Sequence, residues 1–186
     1  MTSRDEPRPA IADGAAPITV RDARPDERDA VAALTLRAYA ELARVMTPTA
    51  WAGLEGAVHA GLASTEGAER IVAERDGVLL GSVLLFPPAT DAYGGLARPG
   101  EVPELRLLAV APEARGQGIG RLLVDECVRR ARRTGATALG LHTSASMRAA
   151  IHLYERMGFV RAAEHDFQPP GGELVTAYRL ELGGGR

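Results

Sequence analysis

The sequence predicts an α/β (α+β) fold in which about seven strands and four helices follow in the order β-α-α-β-β-β-α-β-α-β-β. Three observations predict it. The spacing of apolar residues alternates between the period of a strand and that of a helix, and Asp76-Gly77 is a pair typical of hairpin turns. Within residues 105–123, an apolar strand of the kind that is usually buried is followed by a glycine-rich helix start. The 186 residues, 46% of them hydrophobic, suffice for one core. We expect one domain over residues 18–183, after a disordered Pro-, Ala- and charge-rich tail at residues 1–17.

The N-terminal part is expected to form one strand and two helices. Apolar and polar residues alternate over Ile18–Arg21, which is typical of a strand. A helix opens at Arg24-Pro25-Asp26, and its apolar residues recur at helical spacing: Val31, Leu34, Ala38, Leu42 and Val45. Pro48 ends this helix, and Thr49 is expected to cap a second one that runs to about Leu62.

The middle of the chain combines a hairpin with a long loop. Strands over Ile71–Glu74 and Val78–Phe86 flank Asp76-Gly77, a pair that favours the tight turns of hairpins. The Pro- and Gly-rich loop Pro87–Pro103 follows, and loops of this length in compact domains are usually functional. The next strand, Leu105–Val110, is expected to be central.

Two helices and three strands complete the prediction. In chain order they are a helix from Ile119 that ends at Gly135, a strand over Ala138–Thr143, a helix that carries Tyr154 and ends at Gly158, and closing strands over Phe159–Arg161 and Thr176–Leu182. Apolar residues are expected to line one face of the first of these helices: Ile119, Leu122, Leu123, Cys127 and Ala131. The second is expected to be capped by Ser144 or Ser146.

A glycine-rich segment, Arg115-Gly116-Gln117-Gly118-Ile119-Gly120, stands where the central strand passes into the third helix. Alternating glycines let a ligand approach the backbone closely, and the first amides of a helix have no partner inside it. Those amides and the positive end of the helix dipole suit a phosphate or pyrophosphate. A nucleotide P-loop is excluded because Arg121-Leu122 follows Gly120, and the spacing G-x-G-x-G differs from the dinucleotide fingerprint.

Two motifs resemble those of a known family. The pattern V-x-P followed by R-x-x-G-x-G, from Val110 to Gly120, resembles the pyrophosphate loop of the GNAT superfamily of N-acetyltransferases, which bind acetyl-coenzyme A. Downstream, Ala150–Phe159 resembles the A-x-x-L-Y-E-x-x-G-F segment of the same superfamily. With the strands around them, the motifs span roughly Val102 to Phe159. Met147 departs from the pattern, because many relatives carry there an asparagine that contacts the pantetheine arm.

The resemblance implies a fold and a cosubstrate site. The fold would be a mixed, mostly antiparallel sheet of six to seven strands with a splayed central parallel pair, flanked by about four helices. Acetyl-coenzyme A would be bound where the central strand ends and the next helix begins, by Leu108, Ala109, Val110, Arg115, Gly116, Gln117, Gly118, Ile119, Gly120 and Arg121. The Val110 amide could also donate to the thioester oxygen. No metal site is expected, since no His/Cys/Asp cluster has metal-ligand spacing.

The resemblance also implies two catalytic residues. Tyr154 would be the general acid that protonates the leaving thiolate, since a phenol pKa near ~10 lies close to that of a thiol; otherwise it is a half-buried aromatic with its hydroxyl on a carbonyl. Glu104 would be the general base, directly or through a water, the alternative being a solvated charge. His142 faces either the cleft or the core, and Cys127 is expected in the core.

The expected function is direct transfer of an acetyl group from acetyl-coenzyme A to a primary amine in a ternary complex. A non-catalytic acyl-coenzyme A-binding protein and a transferase of a longer acyl group stay open. The sequence does not identify the acceptor. It is expected to bind between the first two helices, the Pro87–Pro103 loop and the final hairpin, where family members differ most.

Composition limits the partners and the compartment. The formal net charge of −2 does not indicate a basic surface of the kind that binds nucleic acid. The single cysteine excludes an internal disulfide and fits a reducing compartment. No apolar run approaches the ~20 residues that a membrane span needs, and the N-terminus lacks the apolar region of a signal peptide. We therefore expect a cytoplasmic protein without a membrane partner, and leave a homodimer open.

A basic run ends the third helix, with Arg129, Arg130, Arg132 and Arg133. Cations at a helix C-terminus favour the dipole, and Asp125 is expected to pair with Arg129 at i,i+4. A solvated helix end is the default expectation, and a contact of one arginine with the 3′-phosphate of the coenzyme stays open.

Overall fold

The computed structural model describes residues 16–63, 67–91, 93–97 and 100–183. Within them the chain forms one seven-stranded sheet and four α-helices, which confirms the predicted fold class. The elements are β1 (Thr19–Asp22), α1 (Arg28–Ala40), α2 (Pro48–Ala63), β2 (Glu69–Arg75), β3 (Val78–Phe86), β4 (Glu104–Val110), α3 (Ile119–Arg133), β5 (Ala138–Ser144), α4 (Arg148–Arg156), β6 (Val160–Arg161) and β7 (Val175–Glu181). The expected disordered tail falls mostly on residues 1–15, which lie outside the described residues.

The sheet has the strand order β1-β2-β3-β4-β5-β7-β6, and only the β4–β5 pair is parallel among the described strands. This pair is held together at its start, where Glu104 lies opposite Gly140 and Leu105 opposite Leu141. Beyond these residues the two strands are no longer paired. The splayed parallel pair implied by the resemblance is therefore confirmed, and it leaves a cleft between the second halves of β4 and β5.

A β-bulge on β4 lies where this cleft opens. The register between β3 and β4 shifts between Ser82 and Leu84, so that Leu107 and Leu108 stand opposite the single residue Val83. Leu107 has a φ of 52°, which is uncommon for a bulky residue. Because bulges bend their strand and increase its twist, this one helps to turn β4 away from β5.

Helices cover both faces of the sheet. On one face α3 packs so closely that a Cβ at Gly81 would lie 2.9 Å from Ile119 Cγ2. On the other face, Thr35 of α1 shares a hydrogen bond with Ser82, with 3.0 Å between the hydroxyl oxygens. Cys127 of α3 is fully buried, and burial raises the pKa of its thiol to about 12. This cysteine is a core residue, as predicted.

One arginine of the basic run is buried rather than solvated. The Arg130 side chain is 7% exposed. Its guanidinium binds three carboxylates at 2.5–2.7 Å, those of Asp22, Glu69 and Glu126. These contacts tie α3 to β1 and β2. The expected pair of Asp125 with Arg129 is wrong, because Arg129 forms two hydrogen bonds with Glu126, of 2.6 and 2.8 Å.

The first two helices differ from the prediction at their ends. A 3₁₀ turn over Glu41–Arg44 replaces the predicted last turns of α1. The α2 helix begins at Pro48, whose missing N–H suits the first helical position. The Ala50 N–H donates to Thr47 Oγ1 at 3.3 Å, so Thr47 rather than Thr49 caps the helix. In the described ranges, no helix combines the length and apolar composition that a membrane span requires.

The start of α4 also differs from the prediction. Met147 occupies the N-cap position, and no side chain caps this helix. Ser144 belongs to β5, and the Ser146 hydroxyl donates to Glu173 Oε1 at 2.5 Å instead. The predicted serine cap is therefore wrong. The predicted helix ends are confirmed by two glycines with positive φ, Gly135 and Gly158.

Candidate active site

The three glycines of the β4–α3 loop have two different roles. Gly116 and Gly118 each have a φ of 78°, and a Cβ at either would meet no described atom within 4 Å. Gly120 lies inside α3, where a Cβ would be 3.2 Å from Leu153 Cδ2. The first two glycines therefore leave the surface of the loop open to a ligand, while Gly120 lets α3 approach α4.

The start of α3 presents backbone N–H groups that make no hydrogen bond within the helix. Gly118 occupies the N-cap in a left-handed conformation without a side-chain cap. The Leu122 N–H donates to Gly118 O at 3.1 Å, which is the first hydrogen bond of the helix. The N–H groups of residues 119–121 precede it and face the helix end. No acidic side chain stands in this first turn, so the dipole and the amides together suit an anion.

A cavity of about 620 Å³, here called the β4 cavity, lies between β4, the glycine loop and α4. All of the predicted cofactor residues except Gln117 line it: Leu108, Ala109, Val110, Arg115, Gly116, Gly118, Ile119, Gly120 and Arg121. Gln117 instead accepts a hydrogen bond from Arg75 at 3.0 Å. The structure thus brings the strand end and the helix start predicted from sequence to one cavity.

Arg115 is engaged with a residue from the N-terminal part. Its guanidinium binds the carboxylate of Glu41, which follows α1 and also lines the β4 cavity. Both side chains are about half exposed. The Arg115 charge is therefore partly neutralised, and exposed ion pairs of this kind contribute little to stability.

Tyr154 lies on the face of α4 that closes the β4 cavity. Its side chain is buried and packs against Phe159, with ring centroids 5.7 Å apart. Burial raises the pKa of its phenol well above the ordinary value. The hydroxyl is therefore protonated at neutral pH, but the raised pKa moves it away from that of a thiol, so the match expected from the sequence is not found in this structure.

Glu104 is the centre of a hydrogen-bond network. Its carboxylate accepts the Tyr93 hydroxyl, lies 3.1 Å from His142 Nδ1 and lies 4.0 Å from Arg106 Nε. The side chain is only 16% exposed, so Glu104 is not the solvated charge that the sequence left open. It reaches neither cavity wall itself, whereas these three partners line cavities of the site. Asp91, a carboxylate of the loop after β3, accepts the N–H groups of Tyr93 and Gly95, which lowers its pKa.

A second cavity of about 450 Å³, here called the α2 cavity, adjoins the first. Its walls come from α2, from the loop after β3 and from the segment between β6 and β7. A Cβ at Gly171 in that segment would lie 3.0 Å from Thr49 Cγ2, so the segment closes against α2. The two cavities share a wall formed by Tyr39, Arg106, Leu107, His142, Thr143 and Met147. This cavity coincides with the region where the sequence placed the acceptor, and His142 faces the cleft.

Three rings form an aromatic cluster in the wall of the α2 cavity. Tyr93 lies 4.9 Å from both His142 and Phe167, measured between ring centroids, and the Arg106 guanidinium lies 3.9 Å above the Tyr93 ring. Tyr93 and Phe167 were not predicted from the sequence. A single aromatic residue within or beside a Gly- and Pro-rich loop is the signal that could have found them, since binding residues lie disproportionately on loops.

The described residues hold no group of three or more His, Cys, Asp or Glu side chains placed to bind a metal ion. The fold and the cavities together define a site that a phosphate-bearing ligand and a smaller second ligand can share. The model of the acetyltransferase (GNAT) family matches residues 36–159, which is more than half of the chain. The chain belongs to this family.

Relatives and solved structures are consistent with this assignment. The chain is 41% identical over 95 residues to a mycothiol acetyltransferase of Cellulomonas flavigena, covering 50% of this chain and 27% of that protein. It is 32% identical over 108 residues to the IAA acetyltransferase of Azospirillum brasilense, covering 58% of this chain and 63% of that protein. The chain thus spans about a quarter of the first relative's length. A putative acetyltransferase from Salmonella typhimurium, solved with acetyl-coenzyme A, matches with a TM-score of 0.63 at 20% identity over 92% of this chain and 97% of that one, which shows the shared fold.

Proposed function

We propose that this chain is an N-acetyltransferase that moves an acetyl group directly from acetyl-coenzyme A to a primary amine, with both substrates bound at once. The observation that carries the proposal is that the start of α3, whose first N–H groups suit an anion, and the buried Tyr154 line one cavity, which adjoins a second. The family assignment and the names of the relatives support it.

The β4–α3 region would hold the cosubstrate. The N–H groups of the glycine loop bind the pyrophosphate, and Arg115 adds charge. The unpaired edge of β4 from Leu108 to Val110 binds the amides of the pantetheine arm as an added strand would. The Val110 N–H then donates to the thioester oxygen, where negative charge develops during transfer.

Acetyl transfer requires two proton movements. A C–N bond forms between the amine and the acetyl carbonyl carbon, and the C–S bond to coenzyme A breaks. The amine loses a proton, and the departing thiolate gains one from the Tyr154 hydroxyl. Glu104 draws the amine proton through an ordered water, because its carboxylate lies behind His142 and both ring nitrogens of His142 already have partners, Glu104 Oε1 and His165 O.

A thiol-release assay with acetyl-coenzyme A and a panel of primary amines tests this function. We expect release that depends on the amine, with intersecting lines in two-substrate initial-rate plots because transfer is direct. Binding of the coenzyme without turnover on any amine would favour a non-catalytic acyl-coenzyme A-binding protein. Faster release from longer thioesters would favour transfer of a larger acyl group.

The Arg115→Ala variant should bind acetyl-coenzyme A only about two- to tenfold more weakly. A hydrogen bond to a charged group contributes roughly 1.5–3 kcal/mol, but solvent and the pairing with Glu41 reduce this value. Calorimetric titration measures the effect, with Arg179→Ala as control, because Arg179 on β7 also pairs with a carboxylate but lines neither of the described cavities. A loss above a hundredfold would show that Arg115, rather than the backbone, dominates phosphate binding.

A further inference from the structure

The α2 cavity has one carboxylate in its described wall, that of Glu173. Its Oε1 accepts the Ser146 hydroxyl at 2.5 Å. Its Oε2 is buried and has no hydrogen-bond partner among the described residues. A buried carboxylate oxygen without a partner is unfavourable, so this atom is suited to a hydrogen-bond donor that arrives with a ligand.

Two hydroxyls in the wall of the α2 cavity share this property. Thr143 and Ser144, both at least nine-tenths buried, have side-chain oxygens without a partner among the described residues. Both residues line the α2 cavity. They are consecutive in β5, so their side chains point to opposite faces and at most one of them can share a ligand group with Glu173. Ser144 lies opposite Val175 in the β5–β7 register, so Glu173 stands just beyond the end of β5.

Glu173 also stands where the two cavities meet. Ser146 lines the β4 cavity and Glu173 lines the α2 cavity, so their hydrogen bond crosses from one to the other. A nitrogen held at Glu173 would therefore lie on the side of the α2 cavity that faces the thioester site.

The rest of the α2 cavity suits the uncharged, apolar part of a ligand. The α2 helix contributes small and apolar side chains, such as Ala50, Ala57 and Val58, and the aromatic cluster forms another wall. The Arg106 charge faces Glu104 and the Tyr93 ring. A second cationic group on the ligand would meet no further carboxylate in the described wall of this cavity, which is costly.

We propose that Glu173 is the specificity-determining residue that receives the ammonium group of the acceptor, and that the acceptor is a small monoamine with an apolar body. The proposal rests on the proposed function and names the substrate class of that site. Glu173 docks the ammonium before transfer. The ammonium loses one proton to solvent to give the neutral amine that attacks, the second N–H proton leaves towards Glu104 during transfer, and Tyr154 protonates the thiolate.

Kinetics with 2-phenylethylamine as the probe test the proposal in the Glu173→Gln variant. We expect KM for this amine to rise about tenfold or more, since a charge-assisted hydrogen bond is lost, while kcat changes less than about threefold. KM for acetyl-coenzyme A should stay the same. Glu181→Gln, which removes an exposed carboxylate paired with Arg179, is the matched control and should behave as wild type.

Binding measured without the coenzyme separates this proposal from the proposed function. Calorimetry should show that the wild-type chain prefers 2-phenylethylamine to the neutral 2-phenylethanol by about tenfold, and that Glu173→Gln loses this preference while its melting temperature stays near wild type. Preference without turnover would contradict the transferase and support the amine site. Equal binding of amine and alcohol by the wild type, an unchanged preference in Glu173→Gln, or tighter binding of spermidine or of a peptide N-terminus would overturn the proposal.

Discussion

Replacing Gly118 with valine should weaken acetyl-coenzyme A binding by at least about a hundredfold. The side chain would stand at the N-cap of α3, in the space where a phosphate must approach the first amides of the helix. Losing two charge-assisted hydrogen bonds of roughly 1.5–3 kcal/mol each accounts for this factor, because each 1.4 kcal/mol is about tenfold in affinity. Calorimetric titration measures the loss directly.

The chain offers a close control for this variant in Gly135→Val. Gly135 has the same φ of 78° and the same open space around a Cβ, but it lies past the opposite end of α3. Both substitutions place a β-branched residue in a left-handed conformation, so both should lower the melting temperature to a similar extent. Only Gly118→Val should lose the coenzyme. Wild-type affinity in Gly118→Val would show that the loop is not the phosphate site.

The Tyr154→Phe variant should lower turnover by about 10²–10⁴-fold, the usual span for general acid catalysis. The ring and its contact with Phe159 are kept, so coenzyme affinity and melting temperature should barely change. Because burial raises the pKa of Tyr154, its ionisation should not limit the wild-type rate at neutral pH. Steady-state kinetics with an accepted amine, beside a thermal melt, measures both properties.

Tyr178→Phe is the matched control for Tyr154→Phe. Tyr178 is also buried, on β7, but it lines neither cavity among those described. Loss of the Tyr178 hydroxyl should leave turnover within about threefold of wild type, since no proton transfer depends on this hydroxyl. If Tyr154→Phe behaves in the same way while chemistry is shown to limit the rate, then Tyr154 is structural and another group protonates the thiolate.

Local sequence signals identified the residues of the side proposed to bind the cosubstrate. The glycine alternation at the start of α3 and the preceding apolar strand are adjacent in the chain, so their geometry depends on short-range backbone preferences. Even there the sequence did not show that the three glycines of the loop have different roles. Gly120 is small because Leu153, more than thirty residues away, packs against it, and only the tertiary structure shows that contact.

The individual residues of the proposed acceptor side could not be predicted because they meet only through tertiary contacts. Tyr93, His142 and Phe167 come from a loop, a strand and another loop, and the β5–β7 register brings Glu173 to the end of β5. The bulge at Leu107 was not visible either, since no glycine marks the positive φ there. Helix caps failed for the same reason: Ser146 bonds to Glu173, a partner distant in sequence, rather than to its own helix.

The central claim, direct acetyl transfer from acetyl-coenzyme A to an amine, is tested most directly with an isotopic label in the acetyl carbonyl carbon. Wild-type protein is mixed with labelled acetyl-coenzyme A and an accepted amine, and the products are followed by NMR together with the free thiol. We predict that the label appears in an amide in an amount equal to the thiol released, and that Gly118→Val produces neither. Thiol release with the label in acetate, or a label that stays on the protein, would contradict direct transfer.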